Sequence, residues 1–224
     1  MDLATSLPPS LRERLRPQTT GASPREDKAH VLYVMRTAYR CDANPSVEVA
    51  LRAAHALSKP LVCLAVLEDS FPACMRGRAP TDRATAFRLE ALRELGPAFA
   101  ARGASLLVHV ERDGFRHAAA MALAAKACVI VQDEHFGVEP HASAAARVAK
   151  TGAPVWLVDT ACTVPSRTCG SSALVGGNAG FLRATAAARK RVLAAPDTAP
   201  APPLPHATPP APSWHVDLAP DGAL

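Results

Sequence analysis

Two polar stretches of this chain gather the side chains best suited to hold a ligand. The first, at 36–44, offers Arg36, Arg40, Asp42 and Asn44; the second, at 133–139, offers Asp133, Glu134, His135 and Glu139. Each follows a short apolar run, the first of which is closed by Met35. Charged groups of both signs around an apolar floor make a cofactor cleft, so Met35, Arg36, Arg40, Asp42, Asn44, Asp133, Glu134, His135 and Glu139 are its candidate contacts. The bland alternatives are definite. Asp42 or Asn44 reads as the cap of the helix that follows, and His135 as a surface histidine. No residue is assigned a catalytic role. There is no G-x-G-x-x-G and no Walker A motif, and Ser166, Ser171 and Ser172 lack a nucleophile elbow. The six cysteines form no C-x-x-C pair, and the gap between Cys162 and Cys169 is wrong for zinc.

The elements that must position these residues follow from periodicity. Five short runs, at 31–35, 61–67, 105–110, 128–132 and 155–159, are apolar on both faces, as strands of a doubly covered parallel sheet are. Helical patterns lie between them, at 46–57, 82–102, 114–126 and 139–150. In the second of these Ala84, Phe87, Ala91, Leu92, Leu95 and Phe99 are expected on one face, with a start at Pro80-Thr81-Asp82 and a stop at Gly103. The alternation predicts βαβ units with right-handed crossovers and an α/β fold, a five-stranded parallel, Rossmann-like, doubly wound sheet. In the commonest strand order the first and fourth strands are neighbours where the order reverses. The two polar stretches then face each other.

The rest of the chain reads as appendages. Residues 1–28 are a flexible, solvated arm with one short helix at 10–15. Residues 29–167 are the α/β domain, 168–195 a loop and linker helix with the basic run Arg189-Lys190-Arg191, and 196–224 a disordered Pro/Ala-rich tail. With 224 residues and 49% hydrophobic content the chain has ample material for one core. Its net charge of +5 is scattered and fits a composition bias better than a nucleic-acid surface. No apolar run approaches the ~20 residues needed to span a bilayer. The expected location is cytoplasmic or nuclear, with only weak support for an organellar transit peptide.

Four stretches, in order, resemble the photolyase/cryptochrome family. Arg40-Cys41-Asp42-Ala43-Asn44-Pro45-Ser46-Val47 resembles the Arg…Asp-Asn-Pro-Ala-Leu turn after that family's first strand. The run Thr-Asp-Arg-Ala-Thr-Ala-Phe-Arg-Leu-Glu-Ala-Leu at 81–92 is similar to its Arg-x-x-Phe-Leu-x-x-Ser/Gly-Leu helix, and Gly-Ala-Ser-Leu-Leu-Val at 103–108 to the next strand. The segment at 155–166 resembles its fifth strand and Val-Asp-x-x-x-Val-Pro exit. The likeness spans residues 30–167, and the opening Val-Leu-Tyr-Val-Met-Arg resembles the class II branch. The resemblance implies an antenna chromophore, a folate or a deazaflavin, in the cleft described above. It sets Glu139 near the acidic residue that some members use to hold it; the usual neighbouring Asn is replaced by Val138, which speaks against folate-type binding. FAD, the electron-relay tryptophans and damaged DNA belong, by the same resemblance, to a further helical domain. Too little structured chain follows Pro165 to build that domain, and the sole tryptophans are Trp156 and Trp214. The expectation is an α/β domain that does not repair DNA by itself, with a missing flavin-binding domain as partner and DNA reached only through it. Two readings stand beside this one: a nucleotide-binding α/β module of the stress-protein type, and a partner-binding module using the Pro-rich tail and the basic helix.

Overall fold

A computed structural model describes residues 3–19, 21–68, 81–111, 118–134, 136, 145–169, 176–194, 199–205 and 209–218. Among the described residues there are six strands: β1 (Leu15–Pro17), β2 (His30–Met35), β3 (Leu61–Leu67), β4 (Ala104–Val110), β5 (Ala127–Asp133) and β6 (Val155–Val158). They form one sheet in the order β1-β6-β5-β2-β3-β4. Pairing is parallel except for β1, which lies antiparallel on β6. β2 and β5 are therefore neighbours at the reversal of strand order, as the expected topology requires.

Strand alternation divides the core into two layers. Tyr33, Met35, Cys63, Val108, Val131 and Trp156 face one side. There α1 (Pro9–Arg12), α2 (Pro45–Leu57) and α3 (Asp82–Ala101) cover them. Leu32, Val34, Leu64, Ile130 and Leu157 face the other side. That layer is closed by α4 (Ala119–Ala124) and by α5, the helical residues 145–149, through Ala119, Ala124, Ala145 and Val148. Small alanine faces let these short helices lie close to the sheet. The first turns predicted for them, and the link at 69–80, lie outside the described residues. A last helix, α6 (Gly177–Ala194), buries only Thr185 among its described residues.

Four expectations are corrected. The sheet has a sixth strand, and the N-terminal segment is no solvated arm: Leu7, Leu11 and Leu15 are buried in the core, and the backbone of 15–17 completes the open edge of β6. The Pro-rich tail also packs. Ala201, Leu204 and Leu218 are buried, Ala201 N–H donates to Glu48 (2.7 Å), and Val216 N–H donates to the carbonyl of Val108 on edge strand β4 (2.9 Å). Gly103, at φ +71°, admits this passage, because a Cβ there would overlap the Leu204 carbonyl. Finally, Phe87 is 70% exposed while Leu92, Leu95 and Phe99 are buried. At 3.6 residues per turn Phe87 stands about 140° around the axis from Leu92, off the buried stripe.

Candidate functional site at the strand reversal

The reversal point is organised by three buried side chains. Asp133, last residue of β5 and 1% exposed, accepts the backbone N–H groups of Arg36 (2.9 Å), Thr37 (3.0 Å) and Ala38 (3.1 Å) on one oxygen. Its other oxygen accepts the Tyr33 hydroxyl at 2.9 Å. Burial, then the neighbouring Asp133 carboxylate, hold the Tyr33 hydroxyl well above its ordinary pKa, so it stays a proton donor. Asn44 caps α2 by accepting from Ser46 N–H (3.0 Å) and Val47 N–H (3.4 Å). Its amide donates to Tyr33 Oη (3.3 Å) and to the carbonyls of Ala38 (3.3 Å) and Arg40 (2.8 Å). The turn after β2 is thus pinned to β5 and to α2 by one continuous network, and polar groups removed from water here are matched with partners.

The sequence candidates fall into three sets. Asp133 and Asn44 meet at the Tyr33 hydroxyl, face inward and shape the turn, and Met35 lies in the core. Arg36, Arg40, Asp42 and Glu134 remain at the mouth. His135 and Glu139 lie outside the described residues. Arg36 pairs with Glu68 beyond β3 at 3.1 Å. Glu134 Oε1 takes Arg16 of β1 at 2.8 Å and Arg167 at 3.5 Å. Arg40 donates to the Thr160 carbonyl at 2.9 Å, bridging the turns after β2 and β6, and Asp42 is exposed. Beside them, burial raises the pKa of Tyr39 against the opposing effect of Arg88, whose guanidinium lies 5.8 Å from the ring centroid.

Two atoms are left over. Arg36 Nε and Glu134 Oε2 are buried and make no hydrogen bond. The β2–β5 register pairs Val34 with Gln132. Alternation therefore carries Arg36 and Glu134, one on each side of the reversal, onto the same face of the sheet. A spare donor and a spare acceptor on a rigid frame suit a bound heterocycle that presents complementary polar edges. Sequence reasoning missed Glu68, Arg16 and Arg167. Glu68 directly follows a strand and was findable from its position; Arg16 was hidden by reading the N-terminal segment as solvated.

The family model described as DNA photolyase matches residues 31–203. The chain belongs to the DNA photolyase family. The matched region takes in β2 through α6, so the photolyase-family α/β domain inferred from four short motifs is the domain described here. None of the curated proteins matches. Among solved structures, the universal stress protein from Archaeoglobus fulgidus in complex with dAMP is similar at 17% identity, with a TM-score of 0.35, covering 58% of this chain and 98% of that one. No helix among the described residues is long and apolar enough to cross a membrane.

Proposed function

We propose that this chain is a light-collecting α/β domain of the photolyase/cryptochrome type, holding an antenna chromophore, a folate or a deazaflavin, across the β2–β5 reversal. The observation that carries the reading is the family match over 31–203, which includes both strands of the reversal. The residues present fit such a group. Arg36 Nε supplies an unused buried donor and Glu134 Oε2 an unused buried acceptor. The turn that displays Arg36 is held rigid by Asp133. The chromophore would supply near-UV or blue absorption; the protein's part is to bind it, orient it and exclude water. FAD and DNA enter this reading only through a flavin-binding domain acting with this one, in photorepair or in blue-light reception.

Reconstitution tests it. Purified chain mixed with a folate or a deazaflavin and passed over a sizing column should retain near-UV or blue absorption in the protein peak. Arg36→Ala should weaken retention by about tenfold, the loss of roughly one charge-assisted hydrogen bond. If neither chromophore co-elutes, the antenna role is wrong. Calorimetric binding of ATP in the absence of any chromophore retention would favour the nucleotide-binding module instead.

A further inference from the structure

A second recess adjoins the turn before α2 and shares Asp42 and Asn44 with the candidate cleft. It holds about 680 Å³ and is bounded by α1, that turn, the end of α3, Pro165, the last turns of α6 and the Pro-rich stretch at Pro200, a strap tied across α2 by Arg52 and Glu48. Arg36, Asp133 and Glu134 take no part in its walls. The volume lies within the range of small-molecule sites.

Its surface has a definite chemistry. Pro9, Pro45, Pro165 and Pro200 come from four separate stretches and stand with Leu11 and Val192. Rings with a fixed φ cannot relax into the space, so they present stiff apolar walls. Of the charged wall groups, Asp42 is exposed and the others are already oriented. Glu13 holds Arg191 through two bonds, of 2.6 and 3.0 Å, and Glu48 holds Arg102 at 2.6 Å. Arg14 is different. Its guanidinium is fixed by the carbonyls of Asp159 (3.2 Å), Cys162 (2.6 Å) and Thr163 (2.8 Å). Carbonyl dipoles fix the plane without neutralising the charge. The three bonds lie at the two terminal nitrogens, and a guanidinium bonded in its plane can still stack through its flat faces.

The geometry points to a binding site for a planar aromatic anion, its rings between the proline walls and its negative group drawn to Arg14. The strap contributes Pro200 as one wall and is tied to another through Glu48, which also accepts Ala201 N–H. The site is therefore complete only with the strap docked.

Titration of the full chain with 1-anilinonaphthalene-8-sulfonate tests this, read by fluorescence and by amide chemical shifts. Saturation at one equivalent is expected, with shifts centred on Leu11, Ala43 and Val192. N-phenyl-1-naphthylamine, the same rings without the sulfonate, should bind at least about tenfold more weakly, as should the probe itself to Val192→Trp, whose indole intrudes between the proline walls. Emission that rises without saturation, shifts centred elsewhere, equal affinity for the uncharged probe, or undiminished affinity in folded Val192→Trp would overturn the site. Should Val192→Trp fail to fold, the shift map and the probe pair decide the question on the unaltered chain.

Discussion

Asp133 shows why a charged residue at a strand end need not be a ligand contact. Its two oxygens already serve four donors within the protein, three of them backbone N–H groups of the turn after β2. Asp133→Ala should cost on the order of 3–5 kcal/mol in urea unfolding, because several buried donors lose their acceptor together. Tyr33→Phe should cost less, about 1–3 kcal/mol, since it removes one hydroxyl between Asp133 and Asn44. At Ala43 the backbone has φ 48°, a left-handed conformation that a Cβ disfavours by roughly 1 kcal/mol. Ala43→Gly should therefore leave stability unchanged or raise it slightly in the same assay. His30 opens β2 at 5% exposure. Burial, assisted by the charge of Lys126 and opposed by a backbone hydrogen bond at Leu123, lowers its pKa from 6.5 to about 4. The unfolded chain takes up a proton below pH 6.5 that the folded chain refuses until about pH 4. This stabilising contribution is complete above pH 6.5 and is lost as pH falls toward 4, by on the order of 3 kcal/mol in all. Thermal melts across that window should show the decline, and His30→Asn should flatten it.

Among the elements, those governed by local pattern were the legible ones. Strands β2 to β6 were read from runs apolar on both faces, and α2 and α3 from periodicity and caps. Asn44 is the N-cap of α2 and Thr81 that of α3, the latter accepting Ala84 N–H at 3.2 Å. The Val-Asp exit after β6 also has a local cause: Asp159 accepts from Ala161 (3.2 Å), Cys162 (2.9 Å) and Ser166 (2.9 Å), folding the loop over its own carboxylate. What composition hid was the strap. Pro-rich chain forms no core of its own, yet its backbone is gripped from outside, by Arg52 at Ala199 (2.7 Å), Glu48 at Ala201 (2.7 Å) and His55 at Pro202 (2.8 Å). These three lie at i, i+4 and i+7 on α2, one face of the helix. Gly103→Ala tests that docking. The added methyl meets the Leu204 carbonyl at a left-handed φ, so faster amide exchange in 199–218 is expected, together with a loss of more than about 1 kcal/mol. Unchanged exchange would show that the strap tolerates the displacement.

For the whole molecule, the N-terminal segment matters more than its composition suggests. Truncation before Gly21 removes β1 and the buried Leu7, Leu11 and Leu15, and uncovers the edge of β6. From the apolar area involved, the cost should be on the order of 5 kcal/mol, measured as a large fall in the urea midpoint. Arg16 leaves with the segment, leaving Glu134 to Arg167 alone, so chromophore retention should change along with stability. Sequence alone determined the α/β class, the place where strand order reverses and the family, because apolar periodicity, caps and motif wording are written in neighbouring residues. Tertiary structure decided which polar residues of the cleft are occupied and which are spare. The bonds that settle this join partners about a hundred residues apart or more: Tyr33 with Asp133, Arg16 with Glu134, Glu48 with Ala201. No local pattern encodes such partners; they meet only when the sheet closes and the two ends of the chain fold back against it.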